Sequence, residues 1–220
     1  MTDLFVEVNG ETLLLDPAGA LYWPAEQTLV FADLHFEKGS AYAPSGQMLP
    51  PYDTRATLSR MEELIHRHAP ARVIALGDSF HDHDAAGRLD EHERAVLMRL
   101  GGSAEWIWIA GNHDPAPPSW LGGRVCEEIA IGDLVFRHEP SPVPSRGEIA
   151  GHLHPCKSLV RRGRSLRRRC FASDRSRLVM PAFGAYAGGL DVRDDAVRTL
   201  FGAAFLVYLL GSRRVYMVAG

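Results

Sequence analysis

The sequence predicts an α/β domain whose functional residues follow the carboxyl ends of buried strands. Three apolar runs of strand length, at 28–32, 72–76 and 106–110, each lead directly into polar residues. Stretches with the apolar spacing of helices separate the runs, so the predicted order is strand, helix, strand, helix, strand. Open α/β sheets build their binding sites at the carboxyl ends of strands, which is where these polar residues lie.

A β-hairpin is predicted before the first buried strand. Residues 4–8 and 12–15 read as strands on either side of Asn9-Gly10. Asn-Gly is the strongest short hairpin signal, because both residues readily adopt positive φ. We therefore expect a small antiparallel pair here.

Two surface helices are predicted between the buried strands. Residues 51–68 have apolar side chains at helical spacing, and Asp53 or Thr54 is placed to cap the amino end. Residues 90–100 form the second helix, which Gly101-Gly102 terminates.

The second half of the chain reads as a mostly antiparallel sheet. Prolines punctuate short β-type runs, and a glycine-containing turn separates the last two of them into a hairpin. We expect a single domain over residues 1–220, because no linker divides the chain. The predicted strands of this half are 129–136, 158–162, 166–171, 177–180, 204–210 and 214–218.

Composition excludes several classes of protein. The net charge is -3, so there is no global attraction to nucleic acid or to anionic membranes. The odd number of cysteines, three, argues against a disulfide framework, and no secretory signal is visible. The longest apolar run, 200–210, is shorter than a membrane-spanning helix of about 20 residues. We expect a cytoplasmic protein with no membrane association.

Five short blocks of metal-ligating residues occur in order along the chain. Taken singly, each is more often structural than functional, but their joint position beside strand ends favours function. Together they supply enough carboxylate, imidazole and amide groups for two adjacent metal ions. The blocks are Asp33-Leu34-His35, Gly77-Asp78, Gly111-Asn112-His113-Asp114, His138 and Gly151-His152-Leu153-His154.

This ordered set resembles the calcineurin-like metallophosphoesterase superfamily, over residues 33–154. The resemblance implies an α/β four-layer αββα sandwich, with two central mixed β-sheets flanked by helices. It also implies two metal ions that share Asp78. The implied ligands are Asp33, His35, Asp78 and His154 for one ion, and Asp78, Asn112, His138 and His152 for the other.

By the same resemblance, His113 is the catalytic histidine and Asp114 holds its ring. A metal-bridging hydroxide would attack phosphorus in line, with the two ions stabilising the transition state. Mixed nitrogen and oxygen ligands suit manganese first, with iron or zinc as alternatives.

The motif sequences are similar to those of the small bacterial DNA ligase-associated metallophosphoesterases. This similarity implies a manganese-dependent phosphodiesterase or DNA endonuclease linked to DNA repair, with a repair ligase or helicase as partner machinery. One alternative is a phosphomonoesterase or nucleotide hydrolase on the same site, and another is a non-catalytic scaffold for a repair partner. The phrases that carry the similarity include Leu76-Gly77-Asp78-Ser79-Phe80-His81, His138-Glu139-Pro140 and Pro181-Ala182-Phe183-Gly184.

We expect DNA, single-stranded or damaged, as the substrate, and residues beyond the ligand blocks are candidates to contact it. Eight arginines lie between 161 and 177, and arginine is suited to phosphate contacts. Taken alone, the run also fits a solvated hairpin that turns at Gly163. The candidate substrate-binding residues are His81, Lys38, Arg161, Arg162 and Arg164.

Overall fold

The computed structural model describes residues 3–42, 46, 49–161, 163–201 and 204–220, with Arg161 and Arg164 described by their backbone alone. No helix within these ranges is both long and apolar enough to cross a membrane.

The first β-sheet contains seven strands that pair in the order of the sequence. Strands β1 to β4 are antiparallel, and β4, β5, β6 and β7 are parallel. The predicted hairpin is confirmed, since Asn9 and Gly10 have φ of 49° and 89°. The strands are β1 Leu4–Val8, β2 Glu11–Leu15, β3 Leu21–Trp23, β4 Thr28–Ala32, β5 Arg72–Leu76, β6 Glu105–Ile109 and β7 Arg124–Cys126.

The second sheet has the strand order β15-β14-β12-β13-β10-β9-β8, and β11 pairs with β12 alone. The predicted mostly antiparallel arrangement holds for most of its strand pairs, but β9, β10 and β13 are parallel to one another. Long connections link these three strands, and local sequence patterns do not reveal such crossovers. The strands are β8 Glu128–Ile131, β9 Leu134–Arg137, β10 Glu148–Ala150, β11 Cys156–Arg161, β12 Arg164–Ser173, β13 Arg177–Val179, β14 Leu206–Leu210 and β15 Val215–Ala219.

Both predicted long helices form, but one is capped differently from the prediction. Asp90 and Glu93 form a capping box at the start of α4. By contrast, α2 has no side-chain cap, because Asp53 accepts the Gly39 N–H and Thr54 binds Glu37. The helices are α1 Lys38–Tyr42, α2 Asp53–His68, α3 Ala85–Arg88, α4 Glu91–Gly101 and α5 Asp195–Arg198.

Three apolar cores hold four layers together, as the αββα architecture requires. The central core fills the space between the two sheets and includes the fully buried Phe136 and Ile149. A second core joins the first sheet to α2 and α4, through residues such as Met61. A smaller third core covers the outer face of the second sheet with the segment around Val197 in α5. The predicted four-layer fold is confirmed.

We expect Phe136→Ala to lower the free energy of unfolding by about 3–5 kcal/mol, because it leaves a cavity between the sheets. Phe5→Ala is a matched control, since Phe5 is 51% exposed, and it should cost less than about 1 kcal/mol. Urea unfolding followed by tryptophan fluorescence measures both. Equal losses for the two variants would contradict the position of the central core.

Candidate metal centre

The strands of both sheets end at one common edge, and the predicted ligands follow these ends. Parallel pairing sets Ala32 beside Leu76, and Leu76 beside Ile109, so Asp33, Asp78 and the 111–114 loop emerge side by side. In the second sheet, parallel β9 and β10 end just before His138 and Gly151. The packing of sheet on sheet then brings the two sets of loops together.

Most of the ligand residues have a left-handed backbone, which is uncommon for residues other than glycine. Asp33 and His35 both adopt this conformation, on either side of Leu34. Leu34 still turns away into the core beneath the helices. Each left-handed residue costs about 1 kcal/mol or more, and such strain concentrates at functional sites. The residues and their φ values are Asp33 52°, His35 45°, Asp78 44°, His152 66° and His154 46°.

The first group of ligand atoms consists of Asp33, His35 and His154. The Nε2 atom of His154 lies 3.1 Å from Asp33 Oδ1 and 3.4 Å from His35 Nε2. Asp33 is fully buried and also accepts the backbone N–H of His152, at 3.0 Å. These contacts fix the carboxylate between β4 of one sheet and the loop after β10 of the other.

The second group consists of Asp78, His138 and His152. The Nε2 atom of His138 lies 3.4 Å from Asp78 Oδ2 and 3.2 Å from His152 Nδ1. Asn112 joins this group, with its Oδ1 2.8 Å from His138 Nε2. Asp78 Oδ2 is also 4.0 Å from His35 Nε2, so this carboxylate lies between the two groups. The structure thus brings the seven side chains together in two adjacent groups, with Asp78 between them and Asn112 beside the second.

The spacing of these atoms fits two divalent cations. Donor atoms bound at about 2.1 Å to one ion lie about 3.0–3.5 Å apart, which matches the separations within each group. Imidazole nitrogen atoms with carboxylate and amide oxygens form a donor set for manganese, iron or zinc. The residues therefore fit the pair of ions that the motifs imply.

Protonation states in the centre also suit metal binding. Burial lowers the pKa of His35 to about 2 and also lowers that of His152, so both rings are neutral ligands. Burial opposes ionisation of Asp78, but contacts with His138 and the His113 N–H lower its pKa overall. Burial likewise opposes a charge on His138, yet Asp78 and Asp33 raise its pKa to about 9. A cation binding here must displace that proton.

His113 lies beside the two groups and belongs to neither of those found among the described residues. Its backbone N–H donates to Asp78 Oδ1 at 2.9 Å, and its ring stacks on His81 at 5.3 Å. The ring Nδ1 is 2.7 Å from the carbonyl oxygen of His81. A proton on Nδ1 satisfies that carbonyl and leaves Nε2 to exchange a proton with another group.

Asp114 has a different role from the predicted one of holding the His113 ring. The Asp114 side chain is buried and accepts the backbone N–H of Phe80 at 2.9 Å. The His113 ring is instead hydrogen-bonded to the carbonyl oxygen of His81. Burial raises the pKa of Asp114 to about 7. Asp114 thus fixes the turn after Asp78, because its side chain points into the protein beneath that turn.

The candidate substrate-binding residues differ in their distance from the centre and in whether the structure describes them. His81 lies at the centre, with its Nδ1 3.5 Å from His35 Nδ1 and its ring stacked between His113 and Tyr42. Lys38 is partly buried, and its charge contributes to lowering the pKa of His35 after the larger effect of burial. Arg162 lies outside the described residues, as do the side chains of Arg161 and Arg164.

One supporting segment was not predicted to contact the centre. The backbone N–H groups of Phe183 and Gly184 donate to Ala32 O and Asp33 O, at 2.8 and 3.1 Å. On its other side, Arg169 donates to the carbonyl of Ala182 at 2.7 Å. The segment acts through its backbone, so no ligand-type side chain marks it in the sequence. The phrase Pro181-Ala182-Phe183-Gly184 was the available signal.

Comparison with known proteins agrees with this geometry. The family model described as calcineurin-like phosphoesterase matches residues 27–162. The chain belongs to the calcineurin-like phosphoesterase family. It is therefore a phosphate ester hydrolase with a mixed α/β fold. No curated protein sequence matches the chain significantly.

Among solved structures, this phosphoesterase is similar to the Pseudomonas putida nuclease MPE. The two share 29% identity and a TM-score of 0.76, covering 99% of this chain and 100% of the nuclease. Yfce, a phosphoesterase from E. coli, is 13% identical with a TM-score of 0.44, covering 87% of this chain and 98% of Yfce.

We expect Gly77→Ala to weaken Mn²⁺ binding by at least about tenfold, because the added methyl group would displace His138. Changes to residues that support a metal ligand typically have an effect of this size. Gly77 has a φ of 68°, and an added Cβ would lie 2.4 Å from the ring of His138. Gly87→Ala is the control, because a Cβ there meets nothing within 4 Å. Isothermal titration calorimetry with Mn²⁺ compares them, and unchanged affinity in Gly77→Ala would contradict the tight approach of His138.

Proposed function

We propose that this phosphoesterase is a manganese-dependent DNA endonuclease, acting on phosphodiester bonds in DNA repair. The observation that carries the proposal is the pair of ligand groups that share Asp78, with His113 held beside them. The printed description of the similar Pseudomonas protein as a nuclease supports a nucleic acid substrate. The family resemblance of the motifs supports manganese and the connection to repair.

The seven ligands would hold the ions, and their supports keep the geometry fixed. Two divalent cations bound here supply positive charge to phosphate oxygens and a lowered pKa to a bound water. Asp33 holds a loop of the second sheet by accepting the N–H of His152, and Asp78 holds the next loop of its own sheet by accepting the N–H of His113. The ligands are therefore organised before substrate arrives, which is what electrostatic stabilisation of a transition state requires.

His113 is the group that would exchange a proton with the leaving oxygen. The His81 carbonyl fixes the tautomer in which Nδ1 carries the proton, so Nε2 is the atom with a free lone pair. Protonation at Nε2 would then let the ring donate to an alkoxide as the P–O bond breaks. The exposed position of His113 is compatible with such contact.

An exposed reaction centre favours a polymer over a small enclosed substrate. Asn112 and His113 are both exposed, so a chain of nucleotides can approach the ligand groups without entering a deep cavity. A small nucleotide, in contrast, is usually bound in a pocket that covers most of its surface. This openness supports the endonuclease over the nucleotide hydrolase.

The proposal is tested by incubating the Mn²⁺-loaded protein with circular single-stranded DNA, bis(4-nitrophenyl) phosphate and 4-nitrophenyl phosphate. Linearised circles and hydrolysis of the diester, with the monoester at least about tenfold slower, are expected, and EDTA should abolish both reactions. A faster monoester reaction would support a phosphomonoesterase instead. Absence of both turnover and bound Mn²⁺ would support a non-catalytic scaffold.

We expect His113→Ala to lower kcat for the diester by about 10²–10⁴-fold, the usual contribution of a positioned acid or base. Mn²⁺ content should remain at the wild-type level, because the His113 side chain holds no ion and its backbone N–H to Asp78 is retained. His66→Ala is the matched control, since His66 is an exposed histidine of α2. Loss of Mn²⁺ from His113→Ala, measured by atomic emission, would show that His113 is a ligand.

A further inference from the structure

A β-hairpin projects from the body of the protein beside the metal centre. We name it the arm: residues 156–161 of β11 and 164–169 of β12, which pair from Cys156↔Arg169 to Arg161↔Arg164. Over this length β12 pairs with no other strand, because its pairing with β14 begins at Cys170. Six residues at about 3.3 Å each give an arm about 20 Å long.

The arm extends from the same edge of the sheet as the metal ligands. Strand β13 is parallel to β10 with Val179 level with Ala150, and β12 runs antiparallel to β13 with Ala172 level with Val179. The earlier residues of β12 therefore lie beyond the edge at which β10 ends. His152 and His154 lead directly into β11, so the base of the arm adjoins the centre.

The charge of the arm is positive and is not neutralised within the described structure. Seven basic residues and no acidic residue lie between positions 155 and 173, although the whole chain carries a net charge of -3. None of the four basic side chains described here is part of any ion pair found among the described residues. These four are Lys157, Arg167, Arg168 and Arg169.

Backbone carbonyls orient two of these arginines along a path from the centre. Arg169, at the base, binds the carbonyls of Ala182 and Phe183, in the segment that contacts Asp33. Arg167 is two residues further out on the same face and binds the carbonyl of Gly189. Carbonyl contacts hold a guanidinium in place and leave its charge available to an anion. Each planar guanidinium has five N–H donors, enough to bind a phosphate as well.

The outer part of the arm combines positive and apolar side chains. Arg167 and Arg168 are exposed, and Val160 and Leu166 are exposed by 78% and 48%. Phosphate groups and the less polar sugars and bases alternate along a nucleic acid strand, so a surface of this composition is complementary to it. Basic residues on an unpaired hairpin could instead serve to prevent its edge strands from pairing with other chains. If that were their role, replacing them would have no effect on DNA binding.

We propose that the arm binds the phosphate backbone of a single DNA strand and guides it to the metal centre, an inference that rests on the proposed function. Along β12, Arg169 lies nearest the centre, followed by Arg168 and then Arg167, and the DNA strand contacts them in that order. These contacts involve phosphates alone, so the arm confers affinity without base specificity.

The test compares Arg167→Gln/Arg168→Gln with Arg124→Gln/Arg146→Gln, a pair with the same change in charge. Arg124 and Arg146 are exposed and lie at or near the amino ends of β7 and β10, away from the centre. Fluorescence anisotropy with a labelled 30-nucleotide single strand in EDTA, at several salt concentrations, measures affinity without cleavage. The arm variant should bind at least about tenfold more weakly, and its salt slope should fall by about 1.4, about 0.7 for each lost contact.

The substitution Arg167→Lys/Arg168→Lys keeps the charge and should retain most of the affinity, which separates a phosphate contact from a packing effect. Equal binding by the arm and control variants overturns the role of the arm, whatever the activity of the protein. The ratio of DNA cleavage to bis(4-nitrophenyl) phosphate hydrolysis should fall in the arm variant alone. A wild-type protein that binds the strand through the arm but hydrolyses neither substrate would overturn the proposed function and leave the arm as a DNA-binding surface.

Discussion

Two buried carboxylates, Asp33 and Asp78, hold together the loops from which the centre is built. Each follows a parallel strand of the first sheet, and each accepts a backbone N–H from another loop, that of His152 or His113. The left-handed conformations of the ligand residues depend on these contacts, because strained backbone persists only where its surroundings fix it. Close packing leaves no room for a side chain at Gly77, which explains the glycine before Asp78.

Much of the fold, and the meeting of the ligand-type residues at one edge, could be predicted from the sequence. Buried strands have continuous apolar patterns, and a ligand-type residue follows Ala32, Leu76 and Ile109 within three positions, so this edge of the sheet was visible without coordinates. The pairing partners of the second-half strands were not visible, because β9, β10 and β13 meet through long connections that local periodicity does not describe.

Two contacts predicted from the sequence differ from those in the structure, and the physical reason is the same for both. Asp53 lies where a cap is expected, and Asp114 lies next to the ring that it was predicted to hold. Both carboxylates instead accept N–H groups brought by other segments, from Gly39 and Phe80. A buried carboxylate binds whichever donors tertiary packing supplies, and sequence proximity does not identify those donors. The backbone contacts of Gly184 to Asp33 were missed in the same way.

The residues of the centre are far apart in the sequence, and this determines when during folding the centre forms. The contact between Asp33 and His152 spans 119 residues, and it requires both sheets to be paired and packed. Contacts between distant residues form late in folding, because closing so long a loop is entropically costly before other contacts reward it. A chain still folding, or unfolded at either sheet, therefore lacks a complete pair of ligand groups. The capacity to hydrolyse phosphate esters therefore appears only with the finished domain, and incompletely folded copies lack it.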